Sequence, residues 1–159
     1  MCNENQIVVA AEINADSPDF GHLEPMVSAA ERELAGAGIA KAPAVVVADA
    51  GYWHHDQMDA LASRGIQVLI PPDAGKRRGA RSGWDGGRYA FMRRVLETDL
   101  GQQLYGKRQV TIEPMFANTK FNRRIDRFLR RGRAACRSEW RLITATHNLL
   151  KLHTAHAAA

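Results

Sequence analysis

Three short apolar runs rich in β-branched residues, at 7–13, 45–48 and 66–70, are each separated from the next by one segment of helical periodicity. Between the first two, Leu23, Met26, Val27, Ala30 and Leu34 recur at helical spacing over residues 23–37, and Gly36 and Gly38 end the segment. Between the second and third, residues 56–64 place Met58 and Leu61 on one face before Gly65. Parallel strands need a crossover, and a helix is the usual one. The alternation therefore predicts an α/β fold: a mostly parallel sheet with helices on its faces. A turn at 14–19, Pro43 and the pair Pro71-Pro72 punctuate it.

Beyond residue 72 the rhythm breaks. Residues 73–88 carry Gly75, Gly79, Gly83, Gly86 and Gly87 among Lys76, Arg77, Arg78, Arg81 and Arg88, which reads as a basic glycine-rich insertion. Residues 89–104 read as a helix. A further helix is expected within 108–131, with Pro114 limiting where its first turn lies. The last, amphipathic helix is expected over 134–152, burying Trp140, Ile143, Leu149 and Leu150.

At 159 residues, 45% hydrophobic and 25% charged, the chain is about one soluble domain. No stretch approaches the roughly 18 apolar residues of a membrane span. The polar start, residues 1–6, lacks the basic and apolar regions of a signal peptide, so the expected compartment is the cytoplasm. Cys2 and Cys136 are too few for a disulfide framework or a zinc knuckle and read as free thiols.

Charge is unevenly divided. Residues 1–72 hold three Lys/Arg against ten Asp/Glu, and residues 73–159 hold nineteen against seven. The stretches 76–94 and 120–133 together contain fourteen of the twenty-two Lys/Arg. A polyanion is the expected partner of the second part, nucleic acid being the usual one. From the first stretch Arg77, Arg78, Arg81, Trp84, Arg88, Arg93 and Arg94 are the candidate contacts. From the second they are Arg123, Arg124, Arg127, Arg130 and Arg131, all in a density of charge suited to phosphate.

Two acids stand out against this background. Asp49 ends the run 44–48, at the lip of the sheet where open α/β folds place ligands. Glu113 follows Tyr105 and Arg108 and precedes Lys120. Metal-assisted phosphodiester cleavage needs two hard cations about 4 Å apart, and hard cations take oxygen ligands. Asp49 and Glu113 are suitable ligands, although such sites usually have a third carboxylate. Arg108 can hold phosphate through its planar fork, Lys120 as a point charge, and Tyr105 through its hydroxyl.

The blocks "VVVADAGYW", "LYGKRQVTIEPMFANTKFNRRIDRFLRRG" and "RSEWRLITATHNLLKL" resemble the C-terminal catalytic part of bacterial insertion-sequence transposases of the DDE type. The resemblance runs from about residue 7 to residue 152. It implies a ribonuclease-H-like fold in which three acids bind two Mg2+ ions, Mn2+ being an alternative. Asp49 matches the second acid and Glu113 the third, while Tyr105, Arg108 and Lys120 match the Tyr-Arg-Glu-Lys motif of related transposases. Four residues separate Arg108 from Glu113, where some groups have three. The implied substrate is double-stranded DNA, as transposon ends and target, bound by a homodimer in the nucleoid.

In the ribonuclease-H-like order three strands precede the first helix and the first acid lies on the first of them. Only residues 7–13 precede the first helix here. The expectation is therefore a partial catalytic domain over 1–159, with its first two strands and first acid upstream of Met1. Asp16 and Asp19 fall in the turn, the wrong place by this topology.

Simpler readings exist for several residues. Asp49 can cap the following turn, and Glu113 can be a helix-start acid. Adjacent on one helix, His54 and His55 do not face one metal. His147 and Asn148 read as a packed polar pair, Trp53 as core, and Trp84 equally as core or as a base-stacking platform. Two other functions stay open, a DNA-binding remnant without catalysis and another ribonuclease-H-like nuclease.

Overall fold

Val45–Val47 (β1) and Gln67–Leu69 (β2) pair in parallel, Val45 opposite Gln67 and Val47 opposite Leu69, in a computed structural model that describes residues 1–14, 19–73 and 82–157. Leu23–Gly36 (α1) precedes β1, and His55–Ser63 (α2) is the crossover between the strands. Gly65, at φ +76°, ends α2 by letting its own N–H and that of Ile66 turn back onto Ala62 and Leu61. Leu23, Val27, Val46, Trp53, Leu61, Ile66, Ile70 and Met92 form the main core. The architecture is mixed α/β and mostly helical, with a two-stranded sheet among the described residues. No described helix is long and apolar enough to cross a membrane.

The strand expected at 7–13 is not a strand. Val8 and Ala10 are buried, but the backbone there makes only an isolated antiparallel bridge from Val8 to Cys2. Met1 carbonyl accepts from Val9 N–H at 2.9 Å, and Asn3 N–H donates to Ile7 carbonyl at 3.0 Å. Val8 is paired by a side chain instead: its N–H donates to Asn148 Oδ1 and its carbonyl accepts from Asn148 Nδ2, both at 2.8 Å. An amide side chain on the last helix thus supplies the rung a neighbouring strand would have supplied.

Expected as one helix over 89–104, the next segment is two. Gly87–Glu97 (α3) stops at Thr98, and Asp99–Ala117 (α4) begins there. Thr98 is extended at ψ 152°, and its hydroxyl donates to Val95 carbonyl at 2.7 Å while accepting from Gly101 N–H at 3.0 Å. One hydroxyl therefore ends α3 and caps α4.

Pro114 corrects a third expectation, for it lies inside α4 rather than limiting the first turn of a later helix. A helical proline leaves the carbonyl four residues earlier without its N–H. That carbonyl belongs to Val110, and Gln6 Nε2 donates to it at 2.7 Å. Beyond Ala117 the helix widens into a π turn at Asn118–Asn122.

The last helix, Arg133–Ala157 (α5), is longer than expected and buries a different face. Ile143 is buried and Trp140 half-buried, but Leu149 and Leu150 are 65% and 54% exposed. The inward face continues through Thr144, His147, Asn148 and Lys151, at helical spacing from Trp140. Its contacts there are polar. His147, 3% exposed, donates from Nε2 to Gln6 carbonyl at 3.0 Å, and Lys151 Nζ donates to Gln6 Oε1.

The corner between α3 and α4 leaves no room for a side chain at Gly101, where an added Cβ would stand 1.9 Å from Val95 carbonyl oxygen. Gly101→Ala is expected to destabilise the chain by about 2 kcal/mol or more. Thermal unfolding followed by circular dichroism should show Tm lowered by roughly 5 °C or more; an unchanged Tm would refute the close approach.

Candidate active-site cleft and basic surface

Asp49 leaves the carboxyl end of β1 and divides its two oxygens. Oδ1 accepts from Gly51 N–H at 2.9 Å and caps the 3-10 turn Ala50–Tyr52. Oδ2 faces Arg108 Nη1 at 4.0 Å. The capping reading and the site reading thus describe different oxygens of one carboxylate.

Arg108 reaches Asp49 because α4 packs across β1. Its side chain is 25% exposed, its guanidinium lies 5.8 Å from the centre of the Tyr105 ring, and its Nε is buried without a hydrogen-bond partner. At that distance ring and guanidinium attract one another through a cation–π contact. With the side chain a quarter exposed, the Nη groups and not the buried Nε are the donors that can meet a phosphate oxygen.

Both residues line a cleft of about 310 Å³ between α1, β1, α4 and the segment 8–12. Its floor is apolar, formed by Leu23, Val27, Val46, Ile112 and Met115, and its rim is polar, formed by Asp49, Arg108, Tyr52, Glu12 and Asp19. Glu12 is already paired, with Arg141 at 2.5 Å and Arg137 at 3.6 Å.

Sequence reasoning set Asp19 aside as misplaced. The structure puts it beside Asp49: a Cβ on Gly51 would meet Asp49 Oδ1 at 3.1 Å and Asp19 Oδ2 at 3.5 Å, so the two carboxylates flank one glycine. Tyr52 registers both. Its phenol is pushed above the usual range, first by burial and then by the charges of Asp19 and Asp49. The chain between Asp19 and Asp49 folds back through α1, a closure that no local pattern reveals.

Glu113 and Lys120 are not brought to this cleft. Glu113 is exposed on α4, one residue and so about 100° beyond the cleft-lining Ile112. Lys120 is exposed in the π turn. Among the described residues no group of three His, Cys, Asp or Glu could hold a metal ion. His54 and His55 diverge, His54 stacking on Phe20 at 4.5 Å and His55 Nε2 meeting Tyr89 hydroxyl at 2.8 Å.

The candidate DNA contacts divide in the same manner. Arg77, Arg78 and Arg81 lie outside the described residues. Arg93 is bound to Asp73 at 2.7 Å and to Trp84 carbonyl at 2.7 Å, and Arg88 pairs with Asp59 at 2.6 Å. Trp84 stacks on Tyr89 at 4.4 Å, and Tyr89 on Trp53 at 5.0 Å, so Trp84 continues the core. Arg123 donates to Ile143 carbonyl at 2.9 Å and to Thr146 Oγ1 at 2.7 Å. Arg94, Arg124, Arg127, Arg130 and Arg131 are exposed, and no ion pair to them occurs among the described residues.

Compared with known families, residues 87–153 match the family model described as "Transposase DDE domain". The matched region runs from α3 into α5 and contains Tyr105, Arg108, Glu113, Lys120 and the arginine-rich loop, while Asp49 precedes it. No curated protein and no solved structure matches the chain.

Removing either carboxylate near Tyr52 should make its phenol easier to ionise. Asp19→Asn is expected to lower the Tyr52 pKa, and Asp49→Ser, which keeps an oxygen for the cap, to lower it less. Spectroscopic pH titration against a Tyr52→Phe reference measures both; a Tyr52 pKa indifferent to Asp19→Asn would separate Asp19 from this cleft.

Proposed function

We propose that the chain is part of the catalytic domain of a DDE transposase, with a ribonuclease-H-like arrangement around β1 and β2, and that it works on double-stranded DNA. The family match over residues 87–153 carries this reading, since it includes the Tyr105, Arg108, Glu113 and Lys120 set. Asp49 supports it by position, being the acid at the carboxyl end of a parallel strand and directed at Arg108. In this reading Asp49 is the second acid, Glu113 the third, and the exposed arginines hold the DNA backbone.

A divalent metal such as Mg2+ or Mn2+ would polarise phosphate and activate the attacking oxygen in such a reaction. The oxygen donors at the cleft, Asp49 and Asp19, have the right chemistry for a hard cation. The full two-ion set does not fit, because Glu113 stands outside the cleft. What the chain's own residues do is bind and orient. Arg108, in cation–π contact with Tyr105, positions a phosphate at the rim beside Asp49, and the loop before α5 presents cations along the backbone of the duplex.

The exposed position of Glu113 favours a second reading, DNA binding without cleavage. Both readings expect steeply salt-dependent binding to a short duplex. Each of Arg127, Arg130 and Arg131 replaced by Ala should reduce the salt slope by about 0.9. Incubated with supercoiled plasmid in Mg2+ or Mn2+, the purified chain is expected to bind without nicking. Nicking abolished by Asp49→Ser and Glu113→Gln would show that the acids do assemble; salt-independent binding would remove the DNA reading altogether. Preferential cleavage of junctions or RNA hybrids would instead favour another ribonuclease-H-like nuclease.

A further inference from the structure

The loop at 123–132 carries Arg123, Arg124, Arg127, Arg130 and Arg131, yet among the described residues no charge pairing of its outer arginines holds it. It is fastened to α5 from beneath. Glu139, half-buried on α5, receives Leu129 N–H and Arg130 N–H on its two carboxylate oxygens, each at 2.9 Å. Cys136 Sγ lies 3.1 Å from Arg130 carbonyl, and Phe128 meets the edge of Trp140 with ring centres 6.3 Å apart. At the other end Arg123 is fastened to Ile143 and Thr146. Two consecutive N–H groups converging on one carboxylate form an anion-binding concavity, here filled by the chain's own acid.

We propose that Glu139 is a positioning residue for DNA binding: its carboxylate orders the loop so that Arg127, Arg130 and Arg131 stand outward in one arrangement before the duplex arrives. This rests on the DNA reading above. A loop ordered in advance loses less conformational entropy on contact and so binds more tightly. The acid would therefore strengthen binding to a polyanion although its own charge opposes it.

The opposition of signs makes the test decisive. Glu139→Gln adds one positive charge to the net, so a bystander carboxylate predicts tighter binding to a short labelled duplex. Positioning predicts weaker binding, by about five- to tenfold, because the loop must be ordered on contact. The salt slope should stay unchanged, as no phosphate contact is lost, and Glu139→Asp should restore part of the affinity. A purely global role would lower Tm and leave affinity well below Tm intact, which would overturn the proposal, as would equal or tighter binding by Glu139→Gln.

Amide exchange supplies an independent reading on the wild-type chain should the variant not fold. Leu129 and Arg130 amides are expected to be protected, and exchange as fast as in an unstructured peptide would overturn the clasp. A wild-type chain that binds no duplex would defeat the DNA reading, while the exchange rates would still decide whether Glu139 orders the loop.

Discussion

A proline inside a helix leaves one carbonyl without a partner, and the way this chain supplies one ties its two halves together. Val110 carbonyl, stranded by Pro114, is reached by the side chain of Gln6. The same residue offers its backbone carbonyl to His147 and its side-chain oxygen to Lys151. Gln6 takes a positive φ of 62° to make these contacts, and the turn it forms brings Val8 onto Asn148. One glutamine thus connects α4, α5 and the segment that walls the cleft. Because α4 also carries Arg108, the approach of that arginine to Asp49 depends on this join.

Elements whose cause is local were legible in the sequence. The helices α1 and α2, the strands β1 and β2 and the turn at Gly65 follow from periodicity and from glycine's conformational freedom. Less legible were the elements whose cause lies in a distant residue. Pro114 reads as a helix start until Gln6, more than a hundred positions away, is known to satisfy Val110. Residues 7–13 read as a strand because they are apolar, although among the described residues no neighbouring strand pairs with Val8 on its outer side and an asparagine on α5 supplies that one rung. Thr98 looks like an ordinary helical residue until Gly101 is seen to let its hydroxyl serve two helices.

The candidate site shows the same division. Asp49 was placed by its strand, and Arg108 and Tyr105 share a helix face as their spacing of three requires. Asp19 was hidden because only closure through α1 brings it to Gly51. Among the arginines, composition marked the basic half of the chain but could not separate cations that join elements, such as Arg93 and Arg123, from those directed outward. That separation depends on partners such as Asp73 and Ile143 carbonyl, which lie far along the chain or belong to the backbone.

The two-sided engagement of Asp49 has a consequence for the meaning of isosteric replacement at this position. An asparagine there has one oxygen and one amide, and the two ends of the side chain face opposite demands. With its oxygen toward Gly51 N–H, it turns an NH2 group toward the Arg108 guanidinium, setting donor against donor. With its oxygen toward Arg108, it turns a donor against the N–H that needs an acceptor. Asparagine is therefore a frustrated residue at this corner and not a neutral copy of aspartate, and the strand end is matched to the symmetry of the carboxylate as much as to its charge.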